Sequence, residues 1–177
     1  MSPDTTPSFA FRKATPADAQ LLADLGWQTF YEAFAAANNP ADMEAFRPTM
    51  YSLELQEVEL ADPATDFLIV ENEGEAIAYV KLTAGPAPAE IRAENPIQIS
   101  RLYTLAQWTG CGLGDKLMQY CLEKGKQQGH DVIWLTVWEH NERAKRFYRK
   151  YNFTEAGELD FVLGEDVQRD LYMQREL

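Results

Sequence analysis

Apolar residues along this chain alternate between helical steps of three and four and short strand-like runs, and Pro, Gly or Asn marks most of the changes. Phe9–Lys13 reads as a short strand. Thr15-Pro16-Ala17-Asp18 then supplies an N-cap, a proline at the first helical position and an acid at the third, and Leu21, Leu22, Leu25, Phe30 and Phe34 continue at helical spacing. Asn39-Pro40-Ala41-Asp42 repeats the start signal for a shorter helix, and Ser52 opens a third, acidic one carrying Glu54, Glu57 and Glu59. Asp66–Glu71 and Glu75–Thr83 are β-rich runs joined by Asn72-Glu73-Gly74, a hairpin signal. The stretch from Gly85 to Pro96 reads as a loop and the least ordered internal segment.

Ile97–Leu105 is the next expected strand, followed by a glycine-rich turn over Gln107–Gly114. Leu113, Leu117, Met118, Cys121 and Leu122 then form the apolar face of an amphipathic helix ending near Gly129. Val132–Trp138 is apolar almost throughout, as a central strand buried on both faces should be. Asn141–Lys150 is a basic helix, and Phe153–Leu163 with Val167–Leu177 form a closing hairpin around Gly164-Glu165-Asp166. No repeat is visible. The condensed order, β-α-α-β-β-β-α-β-α-β-β, is that of an α/β single domain built on a mixed sheet.

Charge narrows the function. The 177 residues carry 16 Lys+Arg against 28 Asp+Glu, a net charge of −12, which argues against nucleic-acid or anionic-membrane partners because both need a basic surface. The acidity is uneven: residues 1–100 hold 16 acids and 5 bases, residues 101–177 hold 12 acids and 11 bases. Residues 1–8 read as a loose tail with neither a signal peptide nor a membrane span, so a cytoplasmic protein is expected. Cys111 and Cys121, roughly 15 Å apart if they share a helix, do not form a disulfide. Neither they nor His130 and His140 have metal-ligand spacing, and no metal is expected.

The chemistry-bearing segment is Thr109-Gly110-Cys111-Gly112-Leu113-Gly114, between a strand and a helix. Glycines there let amide N–H groups approach a phosphate, and the helix N-terminus adds partial positive charge. It is neither a Walker A loop, since Gly114-Asp115-Lys116 lacks the Gly-Lys-Ser/Thr, nor the G-x-G-x-x-G dinucleotide fingerprint. Gln107-Trp108-Thr109-Gly110-Cys111-Gly112 resembles the Q/R-x-x-G-x-G/A acetyl-CoA motif of the GNAT acetyltransferase superfamily. Downstream, Asn141-Glu142-Arg143-Ala144 followed by Phe147-Tyr148-Arg149-Lys150-Tyr151-Asn152-Phe153 is similar to that family's N-x-x-A-x-x-F-Y-x-K-x-G-F element, with Asn152 in place of Gly. Asn also tolerates the left-handed conformation that a helix C-cap needs.

The resemblance implies a single-domain GNAT fold over residues 1–177, with a mixed sheet of about seven strands and flanking helices. It implies that the strand around Leu102, Tyr103 and Thr104 binds the pantetheine arm of acetyl-CoA through its backbone. The amides of Thr109, Gly110, Cys111, Gly112, Leu113 and Gly114 would hold the pyrophosphate, and Asn141 the CoA arm. Tyr148 would protonate the departing thiolate, and amides near Leu105 would stabilise the carbonyl oxygen. Cys111 lies in the phosphate turn, which argues against an acyl-cysteine intermediate. Dimers are common in the family, so a homodimer is an expectation.

An alkylamine with a pKa of about 10.4 must lose a proton before attacking, which costs roughly 4–5 kcal/mol at pH 7. Many family members place a Glu on the strand before the glycine turn for this step. Gln98 and Ser100 stand there instead, so Glu139, at the end of the central strand, is the replacement candidate for the base. Thr29–Phe34 and Asn38–Phe46, with Tyr79-Val80-Lys81 and Val137-Trp138-Glu139, resemble the bacterial PaiA-type spermidine/spermine acetyltransferases. That implies a small cationic amine as acceptor, met by the acidic first part of the chain through Glu32 and the aromatic Tyr31. Two alternatives remain at this level: a protein N-terminal or lysine acetyltransferase, and a non-catalytic acetyl-CoA-binding module.

Overall fold

The capping residues set where the chain changes direction. In the computed structural model, which describes residues 7–177, Thr15 and Asp18 form a reciprocal capping box that starts a short 3-10 turn, Pro16–Asp18. Helix α1 (Ala19–Phe34) continues from it. The Asn39 side chain accepts the Ala41 N–H at the start of α2 (Pro40–Met50), and Ser52 accepts the Leu55 N–H at the start of α3 (Leu53–Ala61). Three α-helices therefore precede the second strand, where the condensed order counted two; the Ser52 cap separates α3 from α2 after a break at Tyr51. Only part of the expected tail, residues 7 and 8, falls within the described residues.

Seven strands form one mixed sheet: β1 (Phe9–Lys13), β2 (Thr65–Asn72), β3 (Glu75–Ala84), β4 (Pro96–Thr104), β5 (Val132–Trp138), β6 (Thr154–Leu163) and β7 (Asp166–Glu176). Their order across the sheet is β1-β2-β3-β4-β5-β7-β6. Every neighbouring pair is antiparallel except β4 and β5, which are parallel and joined through α4 (Leu113–Gln127). Helix α5 (Glu142–Lys150) links β5 to β6.

Two features of this sheet create a site. First, β4 and β5 pair only from Pro96–Gln98 to Val132–Trp134. Beyond that the strands separate, and the facing edges of Ile99–Thr104 and Leu135–Trp138 lose their ladder partners. Second, the β3–β4 register slips by one residue at Ser100. Because side chains alternate across a strand, the bulge exchanges faces. Ile97 and Ile99 belong to the main core, as does Leu102, whereas Arg101 turns toward α3 and Tyr103 toward α1.

The main core joins Leu113, Leu117, Met118 and Cys121 of α4 to Ile133, Leu135 and Val137 of β5 and Met173 of β7. Alternate β5 residues, Val132 and Trp134, face the other way and pack with Ile91 and Tyr172. Ile91 is only 6% exposed, and the amides of Glu94 and Asn95 donate to the Asp131 carboxylate at 2.7 and 3.0 Å. The Gly85–Pro96 segment is thus pinned to the sheet, contrary to its expected looseness, because one buried isoleucine and two amides hold it down. Asn152 adopts φ +62°, the left-handed C-cap conformation that its place after α5 requires.

Candidate active site

The glycine turn leads into α4 with its amides exposed. Gly110 and Gly112 have φ of +83° and +82°, a conformation costing a residue with a Cβ roughly 1–2 kcal/mol. Gly112 is the N-cap and has no side chain to occupy the first amides of α4, so these remain available to an anion. Gly114 is different: a Cβ there would lie 3.5 Å from the Phe147 ring, an ordinary contact. The Cys111 thiol is exposed and donates to the Trp108 carbonyl at 2.9 Å, while Cys121 is buried; both are free.

The open edge of β4 presents Leu102, Tyr103 and Thr104 beside the turn, in line with the separated end of β5. Asn141 is the N-cap of α5, its side-chain oxygen accepting the Ala144 N–H at 3.1 Å. Only its NH₂ group remains for a ligand. Tyr148 packs between Phe147 and Phe153 on the α5 side of the gap, and burial raises its pKa to about 12. The hydroxyl stays protonated at neutral pH.

Two expectations are modified here. The Leu105 amide donates to the Ile77 carbonyl at 2.9 Å and the Ala106 amide to Glu32 Oε2 at 2.7 Å. These amides, expected to stabilise the carbonyl oxygen, already have acceptors on β3 and α1. Glu32 also accepts from Gln28 at 3.1 Å, so the carboxylate assigned to amine binding instead ties α1 to the start of the glycine turn. Tyr31 is 47% exposed and lies against Trp27 at 5.5 Å between ring centroids.

Opposite α4, the sheet face is aromatic and carboxylate-rich. Phe30 stacks on Phe46, and Phe34 meets both Tyr103 and Trp138 edge-on at 6.5 Å. A cleft of about 370 Å³ opens just past the end of β5, and its lining includes Glu139, His140, Asp160, Asp166 and Arg169. Glu139 follows the last residue of β5; its carboxylate is about one-third exposed and 3.5 Å from His140 Nε2. Arg169 is 3.3 Å from Glu158, which leaves the cleft net negative.

Four carboxylates of the first part, Asp18, Glu59, Asp66 and Glu71, are in ion pairs. Arg12 bridges Asp18 and Glu71, and Lys124 pairs with Asp66 at 2.9 Å. Glu59 accepts both the Arg101 guanidinium and Lys81, with Gln56 a third partner of the buried Arg101. The carboxylates around the β5 cleft come from residues 139–166 instead. Of six bases on α4 and α5, Lys124, Lys145 and Arg149 are in ion pairs; Lys126, Arg143 and Arg146 have none among the described residues.

Asp170 was not singled out by sequence reasoning. It sits on β7 opposite Trp138, on the Phe34 side of the sheet, and is 8% exposed. Desolvation raises its pKa to about 6. Its only signal in the sequence is an acid on an expected strand, alternating with the apolar Leu171 and Met173. Among the described residues there is no group of His, Cys, Asp and Glu that could hold a metal ion, and no helix long and apolar enough to cross a membrane.

Residues 27–153 match the model of the acetyltransferase (GNAT) family. The chain is 35% identical over 150 residues to an uncharacterised N-acetyltransferase from Lactobacillus delbrueckii subsp. lactis, covering 85% of this chain and 87% of that one. It therefore belongs to the GNAT family of N-acetyltransferases, whose co-substrate is acetyl-CoA. A weaker similarity, 27% over 96 residues, links 54% of the chain to 62% of the spermine/spermidine N(1)-acetyltransferase of Bacillus subtilis. The fold matches that of PaiA N-acetyltransferase from Thermoplasma acidophilum, solved in complex with coenzyme A. The TM-score is 0.76 at 20% identity, over 96% of this chain and 99% of that one.

Proposed function

We propose that this chain transfers the acetyl group of acetyl-CoA to a primary amine of a small polycation, a polyamine, by direct attack in a ternary complex. The observation that carries this reading is the cleft past the end of β5, where Glu139, Asp160 and Asp166 face one arginine already turned to Glu158. A multiply charged amine gains from several carboxylates spaced around one opening, and Phe34, Tyr103 and Trp138 behind it offer cation–π faces. The similarity to a spermine/spermidine acetyltransferase supports the same acceptor class.

In this reading the exposed amides from Thr109 to Gly114 hold the pyrophosphate. The unpaired edge of Leu102–Thr104 takes the pantetheine arm by strand-like hydrogen bonds, and the Asn141 NH₂ contacts the same arm. The thioester then lies in the gap between β4 and β5, with the Tyr148 hydroxyl positioned to give its proton to the departing sulfur. Glu139 stands at the amine entrance. Cys111, its thiol engaged by the Trp108 carbonyl in the phosphate turn, takes no acyl group.

The test is CoA-thiol release from acetyl-CoA presented with spermidine, spermine, a lysine-containing peptide and an aminoglycoside. Saturable release with the polyamines, at a kcat/KM at least about tenfold above the peptide's, is expected. A preference for the peptide would move the assignment to protein acetylation, and binding of acetyl-CoA without release to any amine would make the chain a non-catalytic binder.

A further inference from the structure

We propose that Asp170 is the general base of the transfer, accepting the proton that the acceptor nitrogen loses as it bonds to the acetyl carbon. The proposal rests on the amine-acetylation reading above and supplies the step that Gln98 and Ser100 leave without a carboxylate.

Asp170 pairs with Trp138, the last residue of β5, and cross-strand partners share a face of the sheet. That face is the one on which Trp138 meets Phe34 of α1 and Tyr103 also meets Phe34. Asp170 is near enough to Tyr103 for its charge to disfavour tyrosinate there, and Tyr148 acts on Tyr103 in the same sense. Tyr103, on the β4 edge of the gap, thus has both the sulfur-side acid and the nitrogen-side carboxylate among its neighbours, beside Tyr79 and Arg101. An acetyl group in that gap has the entering nitrogen and the leaving sulfur served from different elements, β7 and α5.

Asp170 is more than nine-tenths buried, yet it has no hydrogen bond or ion pair among the described residues to offset desolvation. Other buried charged groups in this protein are matched: Arg101 and Lys81 by Glu59, Asp18 by Arg12. A buried acid left without a partner is costly, and in a site it is the group free to interact with an entering ligand. Glu139, by contrast, is about one-third exposed and beside His140.

The amine lone pair forms the C–N bond and the carbonyl becomes a tetrahedral oxyanion. The nitrogen's proton passes to Asp170; the oxyanion re-forms the carbonyl as the C–S bond breaks, and the sulfur takes its proton from Tyr148. Asp170 then returns a proton and tyrosinate regains one through solvent. An amine that enters as ammonium gives its further proton to solvent. Tyr103 of β4 is near Asp170; along β7 Gln168 and the titratable Tyr172 share its face, as does Thr136 of β5, opposite Tyr172, and its partners in register, Trp138 and Leu159, carry no charge.

Asp170→Asn keeps shape and removes the base. With spermidine, kcat should fall at least about 100-fold, while acetyl-CoA affinity by calorimetry stays within about threefold. The wild-type kcat should fall with first-order dependence below about pH 6, a limb that Asp170→Asn lacks. Retention of kcat within about threefold would overturn the base role while leaving the amine-acetylation reading intact. A wild-type chain that releases no thiol to any amine would end both. Should Asp170→Asn not fold, the wild-type profile decides: a kcat that stays flat down to pH 5 contradicts the proposal.

Discussion

The two faces of the central sheet solve opposite problems. On one, α4 and α5 cover an apolar core of Leu113, Leu117, Met118, Ile133 and Leu135, and binding capacity is concentrated in backbone: the amides of a glycine turn and the unpaired edges of two separated strands. On the other, α1 to α3 and the β6–β7 hairpin bring together aromatic rings, a buried ion-pair network and an unpartnered carboxylate. A backbone site reads a phosphate and an extended arm without needing particular side chains, whereas a side-chain site can be changed residue by residue. In the proposed reading, then, the donor half is set by the fold and the acceptor half by the sequence.

The largest expected effect concerns the stability of the acceptor face. Glu59→Gln would leave Arg101 and Lys81 buried without a carboxylate between them, costing about 3–5 kcal/mol in urea unfolding. Next, Tyr148→Phe should lower kcat by about 100-fold with acetyl-CoA affinity nearly unchanged; full retention of kcat would remove the acid from the α5 side.

The carboxylate of Asp170 makes a prediction with the opposite sign. Its folded pKa of about 6 lies above the unfolded value of 3.8, so its ionisation lowers stability as pH rises from about 4 through 6. Asp170→Asn should therefore be about 2–3 kcal/mol more stable than the wild type at pH 8 and equal to it near pH 3 in thermal or urea unfolding. An amide that destabilises at pH 8 would mean that the carboxylate is paired. The smallest effect separates two glycines of one turn. Gly112→Ala should cost about 1–2 kcal/mol through its φ of +82° and weaken acetyl-CoA binding, while Gly114→Ala, facing Phe147 at contact distance, should change binding less than about twofold by calorimetry.

Most of the donor half was legible in the sequence. Caps and glycines are local signals, so Gly112 and the left-handed Asn152 could be read from their neighbours alone, as could the caps Thr15, Asn39 and Ser52 on the other face. The acceptor half depends on register and on contacts between distant segments. A one-residue slip at Ser100 decides that Arg101 faces Glu59 and Tyr103 faces Phe34, and no local pattern announces it. Glu32 looked available for an amine because nothing in its own helix revealed the Ala106 amide 74 residues away. Asp170 escaped attention for the same reason: its meaning comes from the strand opposite. The uneven charge along the chain does not map the cleft either: four carboxylates of the acidic first part answer buried or bridging cations, and those at the cleft past β5 come from the near-neutral second part.

The central claim is that an amine entering from the carboxylate face meets acetyl-CoA held by the glycine turn. Incubation of the protein with acetyl-CoA and spermidine, followed by mass spectrometry of both products, tests it most directly. The account predicts N-acetylspermidine and free CoA in equal amounts, at a rate that rises with protein concentration. Bound acetyl-CoA that persists with no acetylated amine would contradict it.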